Sequence, residues 1–301
     1  MAGLFWPVFI FTITFLFFVL MVYRVLKIIR MPVHLRWELA PIPHDKERYS
    51  HGGSYLEEHE WWRRKQPKAF FPIVTYMAWE IFLMKGVWQH NRGLWPFSFT
   101  LHWGIYLVIL SLFFHFTNAM LLIGSVPAAV QDVFFSIASV VAVTGYCVGV
   151  FGAVGLILKR YFDKNYRTYS SYSTYFKLLF LATIFISGIV AWVLSNDFAY
   201  ALGVFTRDIF TANLNITATV AIGSHMIITL LFILYLPFTD MVHFITKFFT
   251  HHSVRWDDSP QNEKMTAKLH GLINQPVTWS APHVKSNRGN RWGDIVEKEN
   301  D

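Results

Sequence analysis

Residues 220–243 read VAIGSHMIITLLFILYLPFTDMVH. From Ile209 to Thr239 there is no Asp, Glu, Lys or Arg, a longer run than the roughly 20 apolar residues that cross a bilayer as one helix. Within this run and just past its end stand His225 and His243. An ionisable ring in lipid is costly and marks a partner or a site. Eighteen residues are about five whole turns, so on a continuous helix both rings leave one face about 27 Å apart, one toward each leaflet.

The rest of the chain supplies matching segments. Four more windows, 4–23, 97–123, 133–158 and 178–196, are free of all four charged residue types. With 209–239, extended to about 246, they predict an all-α integral membrane protein of five transmembrane helices. Of 301 residues 54% are hydrophobic and only 15% charged, against about a quarter charged in soluble domains. That balance excludes a soluble enzyme, a disordered chain and a disulfide scaffold. The single cysteine, Cys147, excludes an intrachain disulfide, a thiolate zinc site and an iron-sulfur cluster. Histidine is left as the metal ligand.

The net charge of +7 sets orientation and does not mark nucleic-acid binding, because the basic residues flank apolar runs instead of forming a face. Twelve Lys and Arg lie in 24–92, five in 159–177 and eight in 247–298, and Arg207 alone falls on the other side. Five spans therefore place the N-terminus outside and the C-terminus in the cytoplasm, in the cell membrane and against lipid. The first span lacks a basic leader and a small-residue cleavage site, so it is read as retained. Segment 70–88, with Glu80 and Lys85, is read as an interfacial helix within the cytoplasmic segment 31–92. The tail, with Trp256, Pro260, Pro276, Trp279, Pro282 and Trp292, is poor helix material and fits an extended path over a partner.

Of 13 histidines, four fall in the spans, and the second span contributes His102 near its inner end and His115 deeper toward the outer leaflet. The second and fifth spans run antiparallel, so depth pairs His102 with His243 and His115 with His225. Two bis-histidine irons at two depths describe a dihaem b-type cytochrome. Thirteen residues advance a helix about 220° beyond three turns, so His102 and His115 do not share a face. Gly145, Gly149, Gly152 and Gly155 form a flat stripe on the third span, open to a porphyrin or to a neighbouring helix. Lys159 and Arg160, where that span meets the cytoplasm, are candidates for haem propionates.

The run Leu236-Pro237-Phe238-Thr239-Asp240-Met241-Val242-His243 after His225 resembles the last span of the gamma subunit of respiratory nitrate reductase. Leu101-His102-Trp103-Gly104-Ile105 and the stretch from Gly152 to Arg160 are similar to it too, and the resemblance covers about residues 1–250. It implies a quinol-oxidising cytochrome with two b haems. Two departures are visible: His102 and His115 are further apart than the family's pair, and Asp240 stands where that family carries a basic residue. Residues 251–301, through Arg255-Trp256-Asp257-Asp258, Asn274 to Trp279 and Arg291-Trp292-Gly293-Asp294, resemble the tail of the cytochrome b subunit of the Dsr and Hme complexes. That resemblance implies menaquinol as donor, a cytoplasmic iron-sulfur partner similar to heterodisulfide reductase, further subunits, and a link to sulfite reduction.

A menaquinol site needs hydrogen-bonding groups beside a haem and an opening to lipid. The outer candidates are Asn118 and Asp132, near His115 and Gln131; the inner ones are Glu80, Lys85 and His90. The nitrate reductase resemblance favours the outer set. The rival readings are the quinol-oxidising subunit of a nitrate or other terminal reductase, and a haem-free transporter or anchor, against which stand the absence of internal repeats and of acidic residues in the spans.

Overall fold

The computed structural model describes residues 4–31, 70–213, 216–247, 249–250, 263–278 and 290–298. Much of the 31–92 segment, namely 32–69, and the tail residues Arg255, Trp256, Asp257, Asp258, Pro260, Trp279 and Pro282, lie outside the described residues.

Among the described residues the chain is helical, with one isolated bridge, Pro276 to Arg291. The chain divides into two compact units, one of residues 1–32 and 74–250, the other of 33–73 and 251–301. In the first, five helices are long and apolar enough to cross a membrane: α1 (Phe5–Ile29), α4 (Trp95–Ile123), α5 (Ala128–Phe162), α7 (Tyr172–Leu194) and a fifth over Val220–Phe238. The protein is thus a multi-pass, all-α membrane protein. Between the spans lie α2 (Phe70–Phe82), α3 (Lys85–His90), α6 (Lys164–Thr168) and α8 (Phe198–Phe210). At 13 residues α2 is about 20 Å long, short of the roughly 30 Å hydrocarbon core.

Two boundaries depart from the sequence reading. The fifth span begins at Val220 and not at 209, because the charge-free window joins the end of α8 to the next helix. Ala212, at φ 53°, and Asn213 break the path, and Thr219 restarts it by accepting a hydrogen bond from Ile222 N. At the other end, α9 (Val220–Tyr235) stops before Pro237, is followed by 3₁₀ turns at Leu236–Phe238 and Asp240–Val242, and resumes as α10 (His243–Lys247). Proline has no N–H and its ring clashes with the preceding turn; Thr239, extended at φ −106° and ψ 169°, caps the second turn through Met241 N. His225 and His243 are therefore not on one continuous helix, and the five-turn count that places them on a common face does not apply.

The tightest packing is between α4 and α5. A Cβ on Gly104 would lie 2.4 Å from Gly149 Cα, and one on Gly152 would lie 2.2 Å from Leu101 N. Both contacts are to backbone, so the stripe is taken up by helix packing, and Gly152 offers no free face to a porphyrin. α7 closes the other side of α5, with Phe185 against Gly149 and Tyr146 against Gly188. α1 leans on α9 through Trp6 and Gly223, and reaches α8 at Phe205.

The second unit corrects another expectation. The tail holds α11 (Glu263–Ile273) and α12 (Trp292–Lys298), joined by the Pro276 to Arg291 bridge, with Val277 N donating to Asn290 O. Pro276 has no donor to lose at that position. Gly293 lets α12 approach Ile273, which a Cβ would meet at 2.6 Å.

Candidate functional site

The break at Pro237 brings His243 to His102. Their ring centres are 6.2 Å apart at an interplanar angle of 58°. His102 Nδ1 lies 2.7 Å from Ser98 O, and His243 Nδ1 lies 3.1 Å from Asp240 O. A carbonyl only accepts, so both Nδ1 atoms carry the proton and both Nε2 atoms keep a lone pair. A metal–imidazole bond of about 2.0 Å, with the nitrogen roughly 1.1 Å from its ring centre, puts two in-line rings on one metal about 6.2 Å apart. The observed centre-to-centre distance equals that figure, and hydrogen bonds from the distal nitrogen are what orient a metal-binding imidazole. Among the described residues no group of three or more His, Cys, Asp or Glu is placed to hold a metal. Two imidazoles suffice for a haem iron, whose porphyrin brings its own four nitrogens.

Aromatic donors of α4 tie this centre to α2. Trp95 Nε1, Trp103 Nε1 and Tyr106 Oη donate to the successive carbonyls of Leu83, Phe82 and Ile81, at 2.9, 3.0 and 3.0 Å, satisfying the carbonyls that a helix end leaves unpaired. Tyr106 also stands beside His102. Met84, at φ 49°, turns the chain into α3. Trp79, Leu83, Lys85, Trp88, Gln89 and Trp95 line a groove of about 520 Å³. Glu80 is 10% exposed at its side chain and pairs with Lys247 at 3.2 Å, and Asp240 pairs with Lys177. His90 is exposed at the end of α3. Arg160 donates to Ser170 at 3.1 Å and keeps a buried Nε without a partner, a donor still open to a carboxylate.

The outer histidines are arranged differently. His115 is 4% exposed, and neither ring nitrogen has a hydrogen-bond partner. Asn118, three residues on and so on the same face, is 0% exposed with its amide equally unpaired. α8 covers them, with Phe198 6.2 Å from His115 and Gly203 against Asn118 Cβ. Leaving a buried polar group unpaired costs about 1–3 kcal/mol, so His115 and Asn118 retain unused hydrogen-bonding or ligating capacity. His225 has both nitrogens occupied, Nε2 by Tyr146 Oη at 3.1 Å and Nδ1 by Ser187 Oγ at 2.9 Å. Phe198 and Tyr146, 6.5 Å apart, link the two rings in a chain of aromatic contacts. The structure thus brings the inner pair together and does not place His115 and His225 in ring contact. Nor do Asn118 and Asp132 form one open pocket, since Asn118 is sealed and Asp132 is exposed.

The model of the nitrate reductase gamma subunit family matches residues 68–255. The chain belongs to that family. The match takes in α2 through α10 with all four histidines, and leaves α1 and the tail helices outside. Nitrate reductase gamma subunits are membrane haem b cytochromes that serve as electron-transfer subunits of redox enzyme complexes, and this chain is one of that kind. No curated protein and no solved structure matches the chain.

Sequence reasoning misses Ser98, Ser187, Tyr146 and Phe198. The signal for the two hydroxyls is weak but real: a Tyr and a Ser inside charge-free windows are groups that must find partners in lipid.

Proposed function

We propose that this member of the nitrate reductase gamma subunit family is the menaquinol-oxidising cytochrome b of a respiratory complex. It holds two b haems and delivers electrons to a cytoplasmic iron-sulfur subunit similar to heterodisulfide reductase, linked to sulfite reduction. The observation that carries the haem reading is the His102–His243 pair at 6.2 Å with both Nδ1 protons on backbone carbonyls. When bound, haem b supplies reversible one-electron transfer. The chain fixes the depth of each iron, presents imidazole lone pairs to it, and offers Arg160 to a propionate. His115 and His225 are the outer ligands in this reading, supported by the buried, unpaired ring nitrogens of His115.

For the quinol, support lies at the inner side and not at Asn118 and Asp132, where a sealed amide gives a headgroup no entry. The groove beside α4 is lined by the indoles of Trp79, Trp88 and Trp95, against which a flat ring would stack, and by Lys85 and Gln89, which can donate hydrogen bonds. Replacing His102 or His243 is expected to remove one haem of two, measured as haem per polypeptide. Lys85→Met and Gln89→Leu are expected to slow haem reduction by a menaquinol analogue with haem content unchanged. The reverse pattern, slow reduction in Asn118→Leu and normal rates in the groove variants, returns the quinol to the outer side.

The family match equally favours a second reading, the quinol-oxidising subunit of a nitrate or other terminal reductase. Proteins co-purifying with the tagged chain separate the two. A purified protein without a reduced b-type absorption band overturns both and leaves a haem-free transporter or anchor.

A further inference from the structure

His243 opens α10, which is only five residues long, too short to keep a helical path by itself. Its neighbours must therefore fix where the ring stands. Val242, just before α10, and Thr246 within it are buried at 4% and 5% exposure, and Thr246 Oγ1 donates to Val242 O at 3.2 Å. Phe244 and Ile245 are exposed. Contact along one narrow stripe leaves a short helix able to roll about that stripe, and a roll carries the His243 ring away from His102.

Two ion pairs oppose the roll, one on each side of His243 along the chain. Three residues before it, the Asp240 carboxylate accepts from Lys177 of α7, while the Asp240 carbonyl accepts the proton of His243 Nδ1. Four residues after it, and so on the same face of α10, Lys247 donates to Glu80 of α2 at 3.2 Å. Exposed ion pairs hold little. Each of these has one end withdrawn from water, Lys177 at 13% and Glu80 at 10% side-chain exposure, and a withdrawn charge is costly to leave without its partner. Glu80 is itself anchored, because the three carbonyls that follow it, those of Ile81, Phe82 and Leu83, accept from Tyr106, Trp103 and Trp95 of α4. The helix that carries His102 thus reaches the helix that carries His243 by way of α2.

We propose that the Lys177–Asp240 and Glu80–Lys247 pairs form a positioning device that brackets His243 and sets its ring against His102. Glu80 is a positioning residue in this scheme, its carboxylate spent on Lys247, and is distinct from the groove donors Lys85 and Gln89. The consequence for haem rests on the reading of His102 and His243 as ligands of one iron; the hold on α10 does not.

The test uses the full-length protein purified with its haems. It reads amide hydrogen exchange over residues 236–250, the low-spin signals by electron paramagnetic resonance, and the midpoint potentials. Glu80→Gln removes one pair. Asp240→Asn removes the other and keeps the backbone carbonyl on His243. Each is expected to speed exchange over α10 and to shift the signal and potential of one haem, with the other haem unaltered. Reversing the pair, Glu80→Lys with Lys247→Glu, is expected to restore what Glu80→Lys alone disturbs, a rescue that general loss of structure does not give. Wild-type exchange and signals in both single variants overturn the proposal, and so does a reversed pair no better than Glu80→Lys alone. Faster exchange with every haem signal unaltered overturns the positioning of the ligand. His243→Ala is the control: if it keeps two haems with wild-type signals, the ligation reading fails, and the exchange rates still decide whether the ion pairs hold α10.

Discussion

Gly152 and Gly271 show how one substitution takes opposite signs in one chain. A Cβ at Gly152 meets Leu101 N at 2.2 Å and Leu101 Cα at 2.6 Å, whereas one at Gly271 meets nothing within 4 Å. Backbone cannot step aside as a side chain can, so Gly152→Ala forces α4 and α5 apart. The expected cost is about 1–3 kcal/mol, typical of overpacking, read as a lower unfolding temperature in detergent. Because Leu101 adjoins His102, looser retention of the inner haem should accompany it. Gly271→Ala, in the interior of α11, is expected to stabilise by up to about 1 kcal/mol through helix propensity. A Gly152→Ala protein with unchanged melting and haem content contradicts the close approach of the two helices. Which glycine was which lay beyond the sequence: a small residue every three or four positions serves a flat ligand and a neighbouring helix equally, and only the position of Leu101 distinguishes them.

At the scale of elements, the break between α9 and α10 is what a periodicity argument could not supply. Counting turns from His225 to His243 presumes a continuous helix, and Pro237 ends it at Tyr235. The proline is legible in the sequence, yet a proline in a spanning helix can merely kink it. The two 3₁₀ turns and the extended Thr239 decide the new direction of the chain. Pro237→Ala is expected to let α9 run on and to rotate His243 away from His102 and, on the proposed ligation, to cost the inner haem while the proposed outer haem stays. Haem per polypeptide in the variant, together with the potential of the haem that remains, checks this; two haems with wild-type potentials count against it. A second element-scale expectation concerns the corner between α5 and α6. A hydrogen bond from Lys159 holds the Asp163 carboxyl below the ordinary carboxylate range, and Asp163 caps α6 through Asn165 N. A depressed pKa contributes stability above the unfolded value that is lost as pH falls through the folded one. Asp163→Asn should therefore flatten the acid limb of thermal stability below about pH 4 and matter little at neutral pH. An unaltered acid limb speaks against the cap.

For the molecule as a whole, the basic residues make a topological statement that labelling can check. In a Cys147→Ser background, Asn196→Cys between α7 and α8 should react with an impermeant maleimide on intact cells, and Tyr169→Cys between α6 and α7 only after permeabilisation. The opposite pattern inverts the protein in the membrane. The tail is the other whole-molecule question. On the function proposed above, deleting residues 256–301 is expected to release the proposed iron-sulfur partner while haem content is unchanged, measured by co-purification and haem per polypeptide. A truncated protein that keeps a full-strength complex shifts the dock to residues 31–69.

By itself the sequence determined that the chain crosses the membrane five times, and it supplied the expectations of which way the chain faces and that histidines in the spans carry its chemistry. These follow from hydrophobicity and charge, which are properties of residues counted along a chain. Only the tertiary structure decided that α8 is a separate helix roofing His115 and Asn118, that His102 and His243 meet across a broken helix, and that Ser187 and Tyr146 take the two nitrogens of His225. The physical reason is one of reach. A hydrogen bond or an imidazole pair depends on a few tenths of an ångström and on which way a helix turns after a break, and partners 38, 79 or 141 positions apart leave no local pattern that would announce their meeting.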